Sequence, residues 1–493
     1  VLRRRHPEPS PGELTATDIA ALLSRVDSRP PGDDERGRIQ RRVARAVHAS
    51  PALRDDPALT IDHTRLGVWQ RFVPHLLDDE REAEIARSHA PEVGRLVAEV
   101  LALDDDRRTS HRSGDDLAAG LDDHDPEARV AADAAARAVT RRRAVITAPL
   151  LLELTRLQGA DDAERGLINW RSRTALIEGT TAERLDRLVA GVTEATSSVQ
   201  PWLVWRHALC GASYSDRRVI PNAAQRTLEA DTALACTVLS EVSPTLRQLV
   251  ASVPASVVGG QISECVVDGD RLSVTVAHRG NLRSTLMTAH EIGHAVHALA
   301  SAGRQPPGVL VGEAIGCLAA VLVADSLTAG PHVAEDEAAG SHRAAALALG
   351  DHLIDEIHLS AAASRFENAV HDPASGAVHA AALDDLWLSA IRAVYEPAIS
   401  VPVEVGTDWA RHPSFVASPG HAVSYVWANL FALAVVGREL HDLGDRLAEV
   451  MGRGAIDADE FLEHFDIDPD QLLDAGLAAF DERLERLAEI AFR

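Results

Sequence analysis

Residues 284–301, STLMTAHEIGHAVHALAS, constrain the fold of this chain more tightly than any other stretch. The run is apolar apart from its histidines, one glutamate and a few hydroxyls, so it reads as a buried helix with Ser284 or Thr285 placed to cap its start. Residues four apart lie on one helical face, so His290 and His294 can aim their imidazoles at a single point. Burying His, Glu and His together among apolar side chains costs several kcal/mol unless something pairs with them. A metal ion is the simplest partner.

The spacing H-E-x-x-H is the one that zinc sites of hydrolytic type use. Glu291 is angled beside the cation rather than at it, where it can take a proton from an activated water. Such a site needs a third protein ligand and one position open to water. Between Ala298 and Ala324 the chain carries a single acidic residue, Glu313, on a second apolar helix, "GVLVGEAIGCLAAVLVADSL". A lone buried carboxylate is rare without a partner, which makes Glu313 the expected third ligand. Asp325 is the fallback, or a residue orienting one of the histidines. Gly308, Gly312 and Gly316 form a stripe at four-residue spacing that lets a neighbouring helix approach closely. Zinc is expected over manganese or cobalt from the ligand types.

Around this pair of helices the chain reads as mainly helical. Segments such as "DIAALLSRV", "VGRLVAEVLAL" and "AERLDRLVAGVTEATSSV" repeat apolar residues at i, i+3, i+4 and i+7. Residues 104–128 are polar and charge-dense, the expected flexible loop or boundary. Residues 255–280 alternate and are β-branched with an Asp-Gly-Asp turn, which predicts two or three short strands or a hairpin directly before the histidine helix.

Composition excludes several function classes. A net charge of -25 argues against nucleic acid and against anionic membranes. All 49 basic residues are arginine, so Schiff-base chemistry and a Walker P-loop are out. No G-x-S-x-G elbow occurs. Cys210, Cys236, Cys265 and Cys317 form no C-x-x-C pair and fit neither a disulfide framework nor a thiolate zinc site. The start, "VLRRRHPEPSPGE", lacks the apolar run of a signal peptide. No apolar stretch is expected to reach the roughly 18 residues of a membrane helix. A cytoplasmic location is the resulting expectation.

"TAHEIGHAVH" is similar to the H-E-x-G-H-x-x-H motif of the thimet oligopeptidase and oligoendopeptidase F family of zinc metallopeptidases, including Gly293 and His297. "RQPPGVLVGEAIG" resembles its Gln-Pro element before the glutamate ligand, although the gap from His290 to Glu313 is shorter than is usual. Residues 203–222, the Phe-Glu helix within 364–401, and 408–435 resemble further family segments. The likeness covers about residues 160–440. It implies two mainly helical lobes around a deep channel that admits oligopeptides. It also implies a division into an N-terminal helical region (1–150), helices leading into the core (151–254), a metallopeptidase core (255–445) and C-terminal helices (446–493).

The resemblance implies that the C-terminal segment supplies a histidine and tyrosines to the oxyanion. Here that run is thinned to His421 and Tyr425, one helical turn apart, with His412 upstream. His352, His358, His371 and His379 are expected at solvated helix positions or in loops. The reaction expected is hydrolysis of an oligopeptide, with one Zn²⁺ on His290, His294 and Glu313, Glu291 as base, and Tyr425 and His421 at the oxyanion. Two other readings stand beside it: a zinc enzyme or zinc-binding scaffold diverged toward one dedicated peptide or amide, and a purely structural helical protein.

Overall fold

A computed structural model describes residues 14–27, 34–54, 63–109, 125–211, 214–220, 225–260, 263–268, 271–301, 308–329, 338–376, 379–438 and 442–492, with positions 56, 59, 120, 121 and 123 between them. The fold is mainly α with one small sheet beside the histidine helix. Apolar residues at helical spacing gather in two cores. A small one joins the helices Ala16–Asp27, Asp34–Ala49 and His63–Phe72, from Leu14 to Leu66. A large one runs from Leu96 to Ala491. Arg71 bridges them, donating from Nη1 to Asp457 Oδ2 at 2.6 Å and from Nε to the Leu176 carbonyl at 2.7 Å.

Nine helices are labelled here for their bearing on the site: α1 (Pro126–Glu164), α2 (Arg171–Glu178), α3 (Leu282–Ser301), α4 (Val309–Ala329), α5 (Ala338–Ile354), α6 (Ser360–His371), α7 (Ala380–Tyr395), α8 (His421–Val436) and α9 (Leu472–Phe492). The expected loop at 104–128 is shortened from both sides: one helix continues to Thr109 and α1 begins at Pro126. Residues 110–119 lie outside the described residues.

The strands are β1 (Val257–Gly259), β2 (Glu264–Asp268) and β3 (Arg271–Val276). β2 and β3 pair antiparallel with Cys265 opposite Val274, the hairpin that the alternation predicts; its turn positions 269 and 270 are outside the described residues. β1 adds to the other side of β3 in parallel, so β3 is central. Val274 and Val276 turn inward and are fully buried, which fixes the register because a one-residue slip would expose them.

α3 begins at Leu282, earlier than the cap at Ser284 or Thr285 required. Asn281 caps it instead, its Oδ1 accepting from the Ser284 N–H at 3.0 Å. α3 packs along α4, and α4 along α8, so the two most apolar helices lie side by side in the core. Residues 309–328 are long and apolar enough to cross a membrane by length and composition, contrary to the expectation that no stretch would be; in the fold, 72% of that segment is buried inside the protein. Close approach of α3 and α4 depends on two glycines. A Cβ on Gly293 would lie 2.7 Å from the Ile315 carbonyl oxygen, and one on Gly316 would lie 2.8 Å from the His290 ring. The expected glycine stripe does not act as a unit: Gly312 faces open space, and Gly308 sits against the Glu178 carboxylate.

Candidate active site

α3 presents His290 and His294 one turn apart, and α4 presents Glu313 toward them. His290 Nε2 stands 2.9 Å from His294 Nε2 and 3.2 Å from Glu313 Oε2, and His294 Nε2 is 3.7 Å from the same oxygen. The two rings are nearly perpendicular, at 87°. Ligands held at about 2.0–2.1 Å on a tetrahedron stand about 3.3 Å apart, so the spacing fits one small cation. Glu313 Oε2 is buried with no hydrogen-bond partner. Two imidazoles and a carboxylate therefore converge on one point, where a metal would satisfy all three. Among the described residues these are the one group of three with metal-ligand spacing.

The electrostatics agree with that donor set. Burial disfavours the His290 imidazolium, but hydrogen bonds to Cys317 and Glu313 outweigh it and hold its pKa well above the usual 6.5. His294 is driven down to about 4, first by burial and then by the charge on His290. Burial also works against the Glu313 carboxylate, yet the bond from His290 and the three surrounding histidines bring it down to about 2.

Of the three, His290 lines a cavity of about 590 Å³. Glu291 lines it beside His290, its carboxyl pushed up to about 7 mainly by burial. α8 brings His421 and Tyr425 to the same cavity, 3.3 Å apart between Nε2 and the phenol oxygen, with His421 Nε2 3.8 Å from Glu313 Oε1. Burial and the neighbouring carboxylates, Glu313 first, hold the Tyr425 hydroxyl protonated and available as a donor. His412 also lines the cavity, packed between Trp387 and Phe415 and driven down to about 4 by burial.

Some expected residues stand elsewhere. Asp325 lies three turns past Glu313 and pairs with Arg483 of α9, so it is not positioned as a ligand. His358 is buried against Phe480 and His352 lines the cavity, where the sequence placed both in solvent. His371 stacks on Trp170 at 4.4 Å, and His379 caps α7 by accepting from the Ala382 N–H. The Gln-Pro element at 305–306 lies outside the described residues.

Other residues were missed. Cys317, one turn after Glu313, lines the cavity and accepts a bond from Asn429 Nδ2 at 3.3 Å; its i+4 relation to Glu313 was readable. Asp355–Leu359 form a π-helical turn between α5 and α6 that carries Asp355 and Glu356 into the cavity wall. Two buried glutamates hold the helices that bear the site. Glu178 accepts the Val309 and Leu310 N–H groups at 2.9 and 3.0 Å, at the start of α4. Glu367 accepts the Gly420 N–H at 2.8 Å, at the start of α8. No local signal announces either bond.

No protein-family model and no curated protein sequence matches the chain. Solved structures do. The chain is similar to oligoendopeptidase-F from Enterococcus faecium, with a TM-score of 0.67 and 14% identity over 97% of this chain and 91% of that one. It is similar to PZ peptidase A in complex with an inhibitor, with a TM-score of 0.71 and 13% identity over 96% and 90% of the two chains. A carboxypeptidase from Pyrococcus furiosus is more distant, with a TM-score of 0.52 and 12% identity over 94% and 98%. The expected mainly helical architecture is therefore found: over 97% of its length the chain is similar in fold to oligoendopeptidase-F.

Proposed function

We propose that this protein is a zinc-dependent peptidase of the oligoendopeptidase F type that hydrolyses peptide bonds in oligopeptides. The observation that carries the reading is the convergence of His290, His294 and Glu313 at ligand spacing, with Glu313 Oε2 buried and otherwise unpaired, at the edge of a cavity that holds Glu291 and Tyr425. The fold shared with oligoendopeptidase-F and PZ peptidase A supports it.

His290, His294 and Glu313 would hold one Zn²⁺, which supplies Lewis-acid chemistry to a water and to the scissile carbonyl. The remaining work falls to the chain. Glu291, set beside His290 in the cavity wall, takes the proton of the attacking water and passes it to the leaving amine. Tyr425 O–H and His421 donate hydrogen bonds to the oxygen that gains charge as the carbonyl becomes tetrahedral. The limit to unfolded oligopeptides rests on the fold shared with oligoendopeptidase-F.

The test is cleavage of a mixed oligopeptide library by the zinc-loaded wild type and by Glu291→Gln. The reading expects products from the wild type and a loss of about a hundredfold or more in the variant, with zinc retained by both. Zinc in both proteins with no product from either overturns the peptidase reading and leaves a zinc-binding scaffold.

A further inference from the structure

Glu356 is the cavity group that the proposed chemistry leaves unused. It sits on the π-helical turn and lines the same cavity as His290 and Glu291. Among the described residues its one ion-pair contact is His352 Nδ1 at 3.9 Å, too long for a hydrogen bond. Its neighbour Asp355 is satisfied by contrast, taking Arg283 Nη1 at 3.0 Å and the Tyr395 hydroxyl at 2.8 Å. No arginine lines the cavity, and the chain has no lysine. The Glu356 carboxyl group therefore has no permanently cationic side chain beside it in the cavity lining.

The surroundings of Glu356 add a second constraint. Leu359 and Ala363, one and two turns on, line the cavity, as do the apolar rings of Trp387 and Phe415, which pack on each other. A carboxylate beside an apolar wall suits a group with a hydrocarbon stem and a cationic head, because such side chains lay their methylenes on apolar surface and keep the charge on a partner. A carboxylate of the ligand placed there would meet the like charge of Glu356.

Building on the peptidase reading, we infer that Glu356 is a specificity-determining residue that binds a cationic group of the peptide substrate, a guanidinium or an ammonium. That cation has two possible sources, a basic side chain or a free α-amino terminus, and the two are separable by experiment.

The experiment uses blocked (N-acetylated and C-amidated) octapeptides in which one arginine is moved stepwise through an alanine-rich sequence. Each is paired with a twin carrying citrulline, its neutral isostere, and a second set leaves the α-amine free. Cleavage is measured on the wild-type holoenzyme, and binding is measured on Glu291→Gln by fluorescence anisotropy, so that affinity is read without turnover. Arginine is expected to exceed citrulline by about 10- to 100-fold at one position, the worth of one charged hydrogen bond in a poorly solvated site. If the preference follows the free amine instead, the terminal ammonium is the occupant. In either case Glu356→Gln brings the ratio close to one, and Glu356→Arg inverts it toward a glutamate-bearing peptide. Should the arginine variant fail to fold, the glutamine variant decides.

Equal cleavage and equal binding of charged and neutral twins at every position overturns the inference while leaving the peptidase reading intact. Charge-selective binding that depends on Glu356 with no cleavage by wild type does the reverse.

Discussion

Glu178 offers the sharpest test of how the fold builds the site. Its two carboxylate oxygens accept the first two N–H groups of α4, at 2.9 and 3.0 Å, and the residue is 4% exposed. Those N–H groups have no partner within the helix, and Glu313 lies one turn beyond them. Burial lifts the Glu178 carboxyl above its ordinary range in spite of the two bonds, so their net worth is less than their gross strength. Replacing Glu178 by alanine leaves two poorly solvated donors unpaired at the positive end of a helix. The expected cost is about 2–4 kcal/mol. Part of that cost should appear at the metal, because a frayed first turn lets Glu313 drift from the histidines. Zinc affinity should fall by about 10- to 100-fold, the range seen when groups supporting a ligand are removed. Chelator competition gives the affinity, and urea unfolding of metal-free protein gives the stability. A Glu178→Ala protein with wild-type stability and wild-type zinc affinity would refute the account of α4.

Further outcomes follow from the same geometry. Gly316→Ala puts a methyl 2.8 Å from the His290 ring, so it should displace that imidazole and abolish tight zinc binding while the helix content by circular dichroism is kept. Tyr425→Phe should keep about one zinc per chain and lower kcat by about a hundredfold, read in the peptide assay, because one oxyanion donor is lost. Glu367 gives a pH signature. Burial pushes its carboxyl from 4.5 up to about 7, against the opposing effect of the Gly420 N–H and Arg171. A folded value above the unfolded one means that this stabilisation is complete below pH 4.5 and is lost as the pH rises through 7, to the extent of about 3 kcal/mol. Glu367→Gln carries no ionisable group there, so the stability difference between variant and wild type should shift in favour of the variant by a comparable amount between pH 5 and pH 8. Parallel pH–stability curves for the two proteins would contradict it.

Local periodicity made the centre of the molecule legible. The histidine pair is one turn apart on a run too apolar to lie anywhere but in the core, and Glu313 is the one acid in the first three turns of the helix that follows. The β2–β3 hairpin was written in alternating β-branched residues, whereas the parallel addition of β1 depends on a crossover that no local pattern encodes. What escaped was everything fixed by long-range packing. Glu178 reaches α4 across 131 residues and Glu367 reaches Gly420 across 53, and in sequence both look like ordinary charged helix positions. His352 and His358 read as solvated because they share a helical segment with Asp351, Asp355 and Glu356. Packing of α5 against α9, and the π-turn after it, bury that face instead. The separate core around Leu14–Leu66 was invisible as a unit, since helical spacing announces helices but not which of them share an interior.

The most direct test of the central claim is zinc stoichiometry by elemental analysis, after reconstitution and desalting, on wild type, Glu291→Gln, His294→Ala and Glu313→Gln. The account predicts about one zinc per chain in the first two and far less than one in the last two, because three protein ligands are the minimum that this site supplies. Equal zinc in all four proteins, or none in the wild type, would contradict it.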